Sequence, residues 1–159
     1  MNTGFSNTDV LALAVGPRGG GMAGSNLFAG TRGGGVYRST DDGTSWSPAR
    51  SGLPEAGVET LLLTGNDVFA GITSKGIFRS TDEGTSGTAV TGTGAYSLVA
   101  DGMNLFADGG GGVIRSTDGG TTWTALKAAL TSLDAATQVS TRSGWREASS
   151  STVAMADGP

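Results

Sequence analysis

The sequence predicts an all-β fold of four-stranded antiparallel blades of the β-propeller type: three blades, an irregular C-terminal segment, and so an incomplete propeller. Three observations lead there. Glycine supplies 29 of 159 residues, against ~7 % in ordinary globular chains. Charged residues make up only 15 %, under the usual ~25 %. This balance suits tight turns between short strands and disfavours helices, where Gly costs ~1 kcal/mol relative to Ala. The third observation is an internal repeat, which decides the architecture.

Residues 26–46 read NLFAGTRGGGVYRSTDDGTSW, residues 67–87 DVFAGITSKGIFRSTDEGTSG, and residues 104–123 NLFADGGGGVIRSTDGGTTW. Their aspartates, Asp41, Asp82 and Asp118, stand 41 and 36 residues apart. The third copy is one residue shorter between Phe106 and Asp118. An apolar run precedes each copy, at 10–15, 58–63 and 96–100. Each unit therefore offers four strand segments: 10–15, 26–31, 35–40 and 45–49; then 58–64, 67–73, 76–81 and 86–90; then 95–101, 104–108, 112–117 and 122–126. Four short strands every ~40 residues is blade spacing. Short turns make neighbouring strands antiparallel. The blades are expected at about 8–50, 58–90 and 95–126, within a repeat region spanning 1–126.

The repeated turn has its own chemistry. In residues 39–46, STDDGTSW, Asp41 can accept hydrogen bonds from N–H groups two residues on. Gly43 takes a left-handed φ at little cost. Trp46 lays an apolar ring over the turn and keeps an N–H to donate. The same holds for Asp82 with Gly84, and for Asp118 with Gly120 and Trp123. Gly87 stands where the second Trp would be, so that hairpin is expected to be the least well packed.

These residues resemble the Asp-box, or bacterial neuraminidase (BNR), repeat family. The matching positions are Ser39, Asp41, Gly43, Ser45 and Trp46; Ser80, Asp82, Gly84 and Ser86; and Ser116, Asp118, Gly120, Thr122 and Trp123. Three matches in register, each after an apolar-Arg-Ser-Thr-Asp run, make the resemblance specific over about residues 8–126. The family includes sialidases, xyloglucan-cleaving glycosidases, sortilin-like receptors and the photosystem II assembly factor. It implies a propeller whose Asp-boxes lie on the outer rim, away from the ligand face, and it argues fold rather than activity. It also implies an extracytoplasmic, secreted setting. Nothing in residues 1–5 reads as a signal peptide.

After Leu126 the register fades. Leu126, Leu130 and Leu133 suit one face of a short helix, with an extended loop or a degraded strand as alternatives. Residues 151–158, STVAMADG, echo SLVADG at 97–102, and residues 127–159 could thus hold the start of a fourth blade. Three blades leave two sheet faces uncovered, because rings have four to eight. Three outcomes stay open: a fragment of a larger propeller, self-association that completes a propeller, or a C-terminal segment that fills the gap.

Much chemistry is disfavoured. The net charge is −4 with no basic patch, so nucleic acid is not an expected partner. No apolar run nears the ~18 residues of a membrane-spanning helix. There is no Cys and no His, which removes disulfides, the commonest zinc ligands and Ser-His-Asp catalysis. Gly19 to Gly24 fit G-x-G-x-x-G but precede a strand, not a helix, so they read as a loop insertion. The acidic turns lack the alternating ligands and distal Glu of an EF-hand. No cofactor and no metal are expected. Arg38, Arg79 and Arg115 fill one slot per repeat, which spaces them around a ring; burial beside carboxylates of the same or next blade is expected. Tyr37 shares its slot with Phe78 and Ile114 and reads as packing, not as a sialidase nucleophile. The acidic residues outside the turns nominate no glycosidase pair.

Enzyme activity is therefore uncertain, with the balance against it and no catalytic residue to name. The expected function is a non-catalytic repeat module for protein or carbohydrate (glycan) binding. The alternatives are a sialidase-like glycoside hydrolase fragment whose catalytic residues lie elsewhere, and a photosystem II assembly factor-like helper. By family geometry, the ligand-facing loops join the second strand to the third, and one blade to the next. Candidates are Arg32, Lys75 and Asp108 in the first set, and Arg50, Glu55 and residues 91–95 in the second.

Overall fold

The computed structural model describes residues 4, 7–17, 24–49, 51–109 and 111–126. Every regular element among them is a strand. The first sheet holds β1 (Val10–Pro17), β2 (Ser25–Thr31), β3 (Gly35–Ser39) and β4 (Ser47–Pro48). The second holds β5 (Val58–Thr64), β6 (Asp67–Ile72), β7 (Gly76–Ser80) and β8 (Thr88–Thr91). The third holds β9 (Ala95–Asp101), β10 (Asn104–Gly109), β11 (Gly112–Ser116) and β12 (Thr124–Ala125). Each is an antiparallel meander in sequence order, as the repeat predicts. The readings for residues 127–159, and for Gly19 to Gly21 of the glycine insertion, fall outside the described residues.

The register repeats as faithfully as the sequence. Phe28 stands between Ala14 and Arg38. Phe69 stands between Leu62 and Arg79, and Phe106 between Val99 and Arg115. Near the start of its first strand each sheet slips register by one residue, at Val10/Ala12, Val58/Thr60 and opposite Asp108/Gly109. Such a bulge sharpens strand twist. The fourth strands are where expectation and structure part. β4 and β12 hold only two residues each, not 45–49 and 122–126, because residues 45 and 122 are consumed by hydrogen bonds to the turn aspartate.

Alternation splits each sheet into two faces, and the core forms where a face of one sheet meets the next. Between the first two sheets, Phe28, Val36 and Ala49 pack on Val58, Val68, Ala70 and Ile72. Between the second and third, Phe69 and Ile77 pack on Ala95, Leu98, Leu105 and Ala107. First strands lie beside first strands, β1 along β5 and β5 along β9, as inner strands of a propeller must. On the other face of the first sheet, Ala29, Tyr37 and Trp46 form a smaller buried cluster.

Candidate functional site

The repeated turn is closed by side chains. Ser39 Oγ donates to Asp41 Oδ1 at 2.8 Å and accepts from the Gly43 N–H at 2.9 Å. Asp41 accepts the Ser45 N–H at 2.8 Å and the Ser45 hydroxyl at 2.5 Å. The Trp46 indole N–H donates to the Gly43 carbonyl at 3.1 Å. Ser80, Asp82, Gly84 and Ser86 repeat the arrangement. So do Ser116, Asp118, Gly120 and Thr122, with the Trp123 N–H on the Gly120 carbonyl at 3.2 Å. One detail differs from the sequence expectation. The carboxylate reaches N–H groups four residues on, and the N–H two residues on goes to the serine hydroxyl instead. The serine sits at the strand end, closer to that N–H than the carboxylate beyond it.

These bonds favour the ionised carboxylate. The Ser45 hydroxyl, the Ser45 N–H and Ser39 lower Asp41 from the ordinary 3.8 to about 2. Ser86 and Ser80 do the same for Asp82, again to about 2. Thr122 and Ser116 lower Asp118 still further. A carboxylate so fully engaged is a brace, poorly suited to carry a proton for catalysis near neutral pH.

The turn also faces outward to the preceding sheet. Gly84, at φ +83°, lies on the Phe28 ring: a Cβ there would stand 2.7 Å from it. Gly120, at φ +84°, lies on Phe69 in the same way. Glu83 of the second turn meets Arg38 and the Asn26 amide of the first sheet. Thr121 of the third turn accepts from Arg79 at 3.1 Å, while Asp67 of that arginine's own sheet pairs with it at 2.6 Å. Arg38 thus finds its carboxylate in the next sheet and Arg79 in its own. Among the described residues Arg115 finds none: it donates to Asn104 at 2.8 Å, and its buried Nε has no hydrogen-bond partner among them. Sequence reasoning missed Glu83, Asn26, Asn104 and Thr121. The signal lay in two slots that vary between copies, Asn26/Asp67/Asn104 at the start of the second strand and Asp42/Glu83/Gly119 after the turn aspartate, whereas the Thr121 slot is Thr in every copy and gave none.

Gly87 leaves a modest gap. Leu53, from the loop before β5, approaches the missing indole's place, and a Cβ on Gly87 would stand 2.8 Å from it. The Gly87 N–H donates to Ser51 O at 2.8 Å. A cavity of about 20 Å³ remains, lined by Val36, Ala49, Leu53, Val68, Gly84 and Gly87 among others. It is water-sized and far below the ~300 Å³ of a small-molecule pocket.

Antiparallel connectivity puts the β2–β3 and β6–β7 turns at the end opposite the aspartate turns, together with the β4–β5 and β8–β9 connections. Arg32 is exposed there and ion-paired with Asp9 at 2.7 Å. Thr73 donates to Glu59 at 2.7 Å. Lys75 and Glu55 are exposed and make no side-chain hydrogen bond among the described residues. Asp108 is exposed but lies within β10, opposite Ser97 and Val113, not in the loop expected for it; the shorter third hairpin lets the strand run to Gly109. Of the 91–95 stretch, Gly92 and Thr93 are exposed and Ala95 is buried. Arg50 lies outside the described residues. The three arginines of the repeat do not converge, and Tyr37 is fully buried. No group of three Asp or Glu among the described residues could hold a metal ion.

Three meandering sheets packed through their first strands, each bearing the same side-chain-closed turn, define a protein of propeller-type blades. Solved structures share that fold. The chain is similar to an ancestral GH74 enzyme, with a TM-score of 0.59 and 22 % identity over 78 % of this chain and 19 % of that one. It is similar to YCF48 from Cyanidioschyzon merolae, with a TM-score of 0.59 and 17 % identity over 74 % of this chain and 37 % of that one. It also resembles YCF48 bound to D1 peptide, with a TM-score of 0.58 and 16 % identity over 74 % and 40 %. At such identities the likeness is one of fold. The chain spans less than half the length of each of these proteins. No protein-family model and no curated protein matches it.

Proposed function

We propose that this chain is an Asp-box repeat module of a larger propeller, that it binds a protein or glycan partner, and that it carries no catalysis of its own. The observation that supports this most is the division of labour between the two ends. At one end every repeat aspartate is consumed by its own turn. At the other, Lys75, Glu55 and Asp108 are exposed without side-chain partners among the described residues, and Arg32 and Thr93 are exposed as well. Exposed loops on a rigid scaffold are where propellers place recognition. A peptide-bound protein among the fold neighbours favours a protein partner over a glycan.

The second reading, a glycoside hydrolase fragment, is favoured by the GH74 fold neighbour. A helper resembling the photosystem II assembly factor is the form that the protein-binding reading would take if the YCF48 likeness extends beyond fold. Peptide and glycan arrays, with fluorogenic glycosides alongside, separate these readings. Binding that Lys75→Glu and Arg32→Glu weaken, without turnover, supports the module. Turnover by this chain rejects it.

A further inference from the structure

Each repeat arginine needs one carboxylate, and the chain supplies it by a simple rule. Where the strand slot is Asn26, the next turn offers Glu83. Where that slot is Asp67, the next turn has Gly119 in place of the Glu, and the arginine pairs within its own sheet. The third sheet repeats the Asn version, Arg115 on Asn104, and therefore calls for a turn with a carboxylate beside its aspartate. The first turn is such a turn. Asp42 occupies the Glu83 slot with the same left-handed backbone, φ 56° against 55°, yet it is exposed and has no partner among the described residues. The neighbouring glycines agree. Gly84 and Gly120 lie on Phe28 and Phe69, whereas a Cβ on Gly43 would meet only Trp46 and Leu27 of its own sheet. Phe106, in the Phe28 slot, is half-buried with no turn upon it among the described residues.

The exposed apolar residues point to the same two surfaces. Val10, Leu13, Val15, Tyr96, Met103 and Leu126 are the large exposed hydrophobics among the described residues, and all lie on or beside the first and third sheets. Leu13 is 70 % exposed, whereas Leu98 in the same slot of the third sheet is 7 % exposed. Ala29 and Tyr37, farther out on the first sheet's face, are already buried, so the open strip is the first strand and the turn.

We infer that two copies of this chain associate head to tail, the Asp42–Gly43 turn of each seating on Phe106 and Arg115 of the other. Two such contacts close a ring of six sheets, within the four to eight of known propellers. The inference rests on the reading of these sheets as part of a larger propeller and is independent of any loop ligand. Sedimentation and light scattering on the full chain test it. The wild type should be a dimer. Asp42→Asn, at an exposed turn that tolerates Asn, should raise the dimer dissociation constant about tenfold, as loss of a charge-assisted pair does. Asn104→Asp, which gives Arg115 a carboxylate in its own sheet as Asp67 does for Arg79, should weaken the dimer similarly while leaving the fold intact by circular dichroism. The exchange Asp42→Lys with Arg115→Glu should dimerise more tightly than either single change. A monomer at every concentration would overturn the inference, as would a dimer indifferent to Asp42→Asn and Asn104→Asp. Either result would leave the arrays to judge the binding reading separately.

Discussion

The second and third sheets present nearly the same face to whatever follows them, with opposite outcomes. Phe69 and Arg79 are covered by the next turn, and Phe69 is fully buried. Phe106 and Arg115 occupy the same register positions and stay half-buried, with the Arg115 Nε unpartnered among the described residues. The strand sequence is prepared for a neighbour in both cases, and only the neighbour's presence makes a core of it. In a stacked repeat, each interface contributes stability that one unit cannot supply alone.

The largest effect should come from breaking the covered face. Phe69→Ala removes a fully buried ring and should cost ~3–5 kcal/mol, read as a fall in the denaturant midpoint. Phe106→Ala, measured at dilution where copies do not associate, should cost about half as much. Equal losses would mean that the two faces are equally covered.

Acid tests the three turns together. Each aspartate binds its proton less readily in the folded chain than in the unfolded one, so the unfolded state takes up more protons across this range. The stabilisation is complete above about pH 4 and is lost as the pH falls towards about 2. Thermal melts from pH 5 to pH 2 should show the melting temperature level down to about pH 4 and falling from there to pH 2. A flat profile would contradict the geometry of the turns.

Ser80→Ala should cost ~1–2 kcal/mol, because it leaves the buried Gly84 N–H without its acceptor. Ser116→Ala should cost about the same, since the turn's bonds are internal and do not depend on what covers the sheet. A large difference between the two would tie the turn to its neighbour. The smallest effect concerns Gly87. Gly87→Trp alone should destabilise by ~1 kcal/mol, because Leu53 stands in the way. Combined with Leu53→Ala, the loss should shrink, a coupling that a double-mutant cycle measures.

Much of this was legible in the sequence. Apolar alternation and turn residues placed eight of the twelve strands within one residue of their observed ends; the rest miss by two residues, at the end of β1 and at the starts of β4, β8 and β12. Ser39, Asp41, Gly43 and Trp46 foretold a closed turn because every bond in it spans five residues or fewer. Which N–H meets which oxygen was misjudged by two positions, since that depends on where the strand ends. Asp108, the last residue of the expected strand 104–108 and also a loop candidate, lies inside β10, which runs one residue further to Gly109. Glu83 stayed hidden because its partner Arg38 is 45 residues away.

From the sequence alone came the unit: four short strands, their alternation and a turn closed by its own side chains, all set by contacts between near neighbours in the chain. Only the tertiary structure decided which face of each sheet is buried and which arginine holds a carboxylate. Leu13 and Leu98 occupy one slot and differ tenfold in exposure, because burial belongs to pairs of sheets and no single repeat encodes its neighbour.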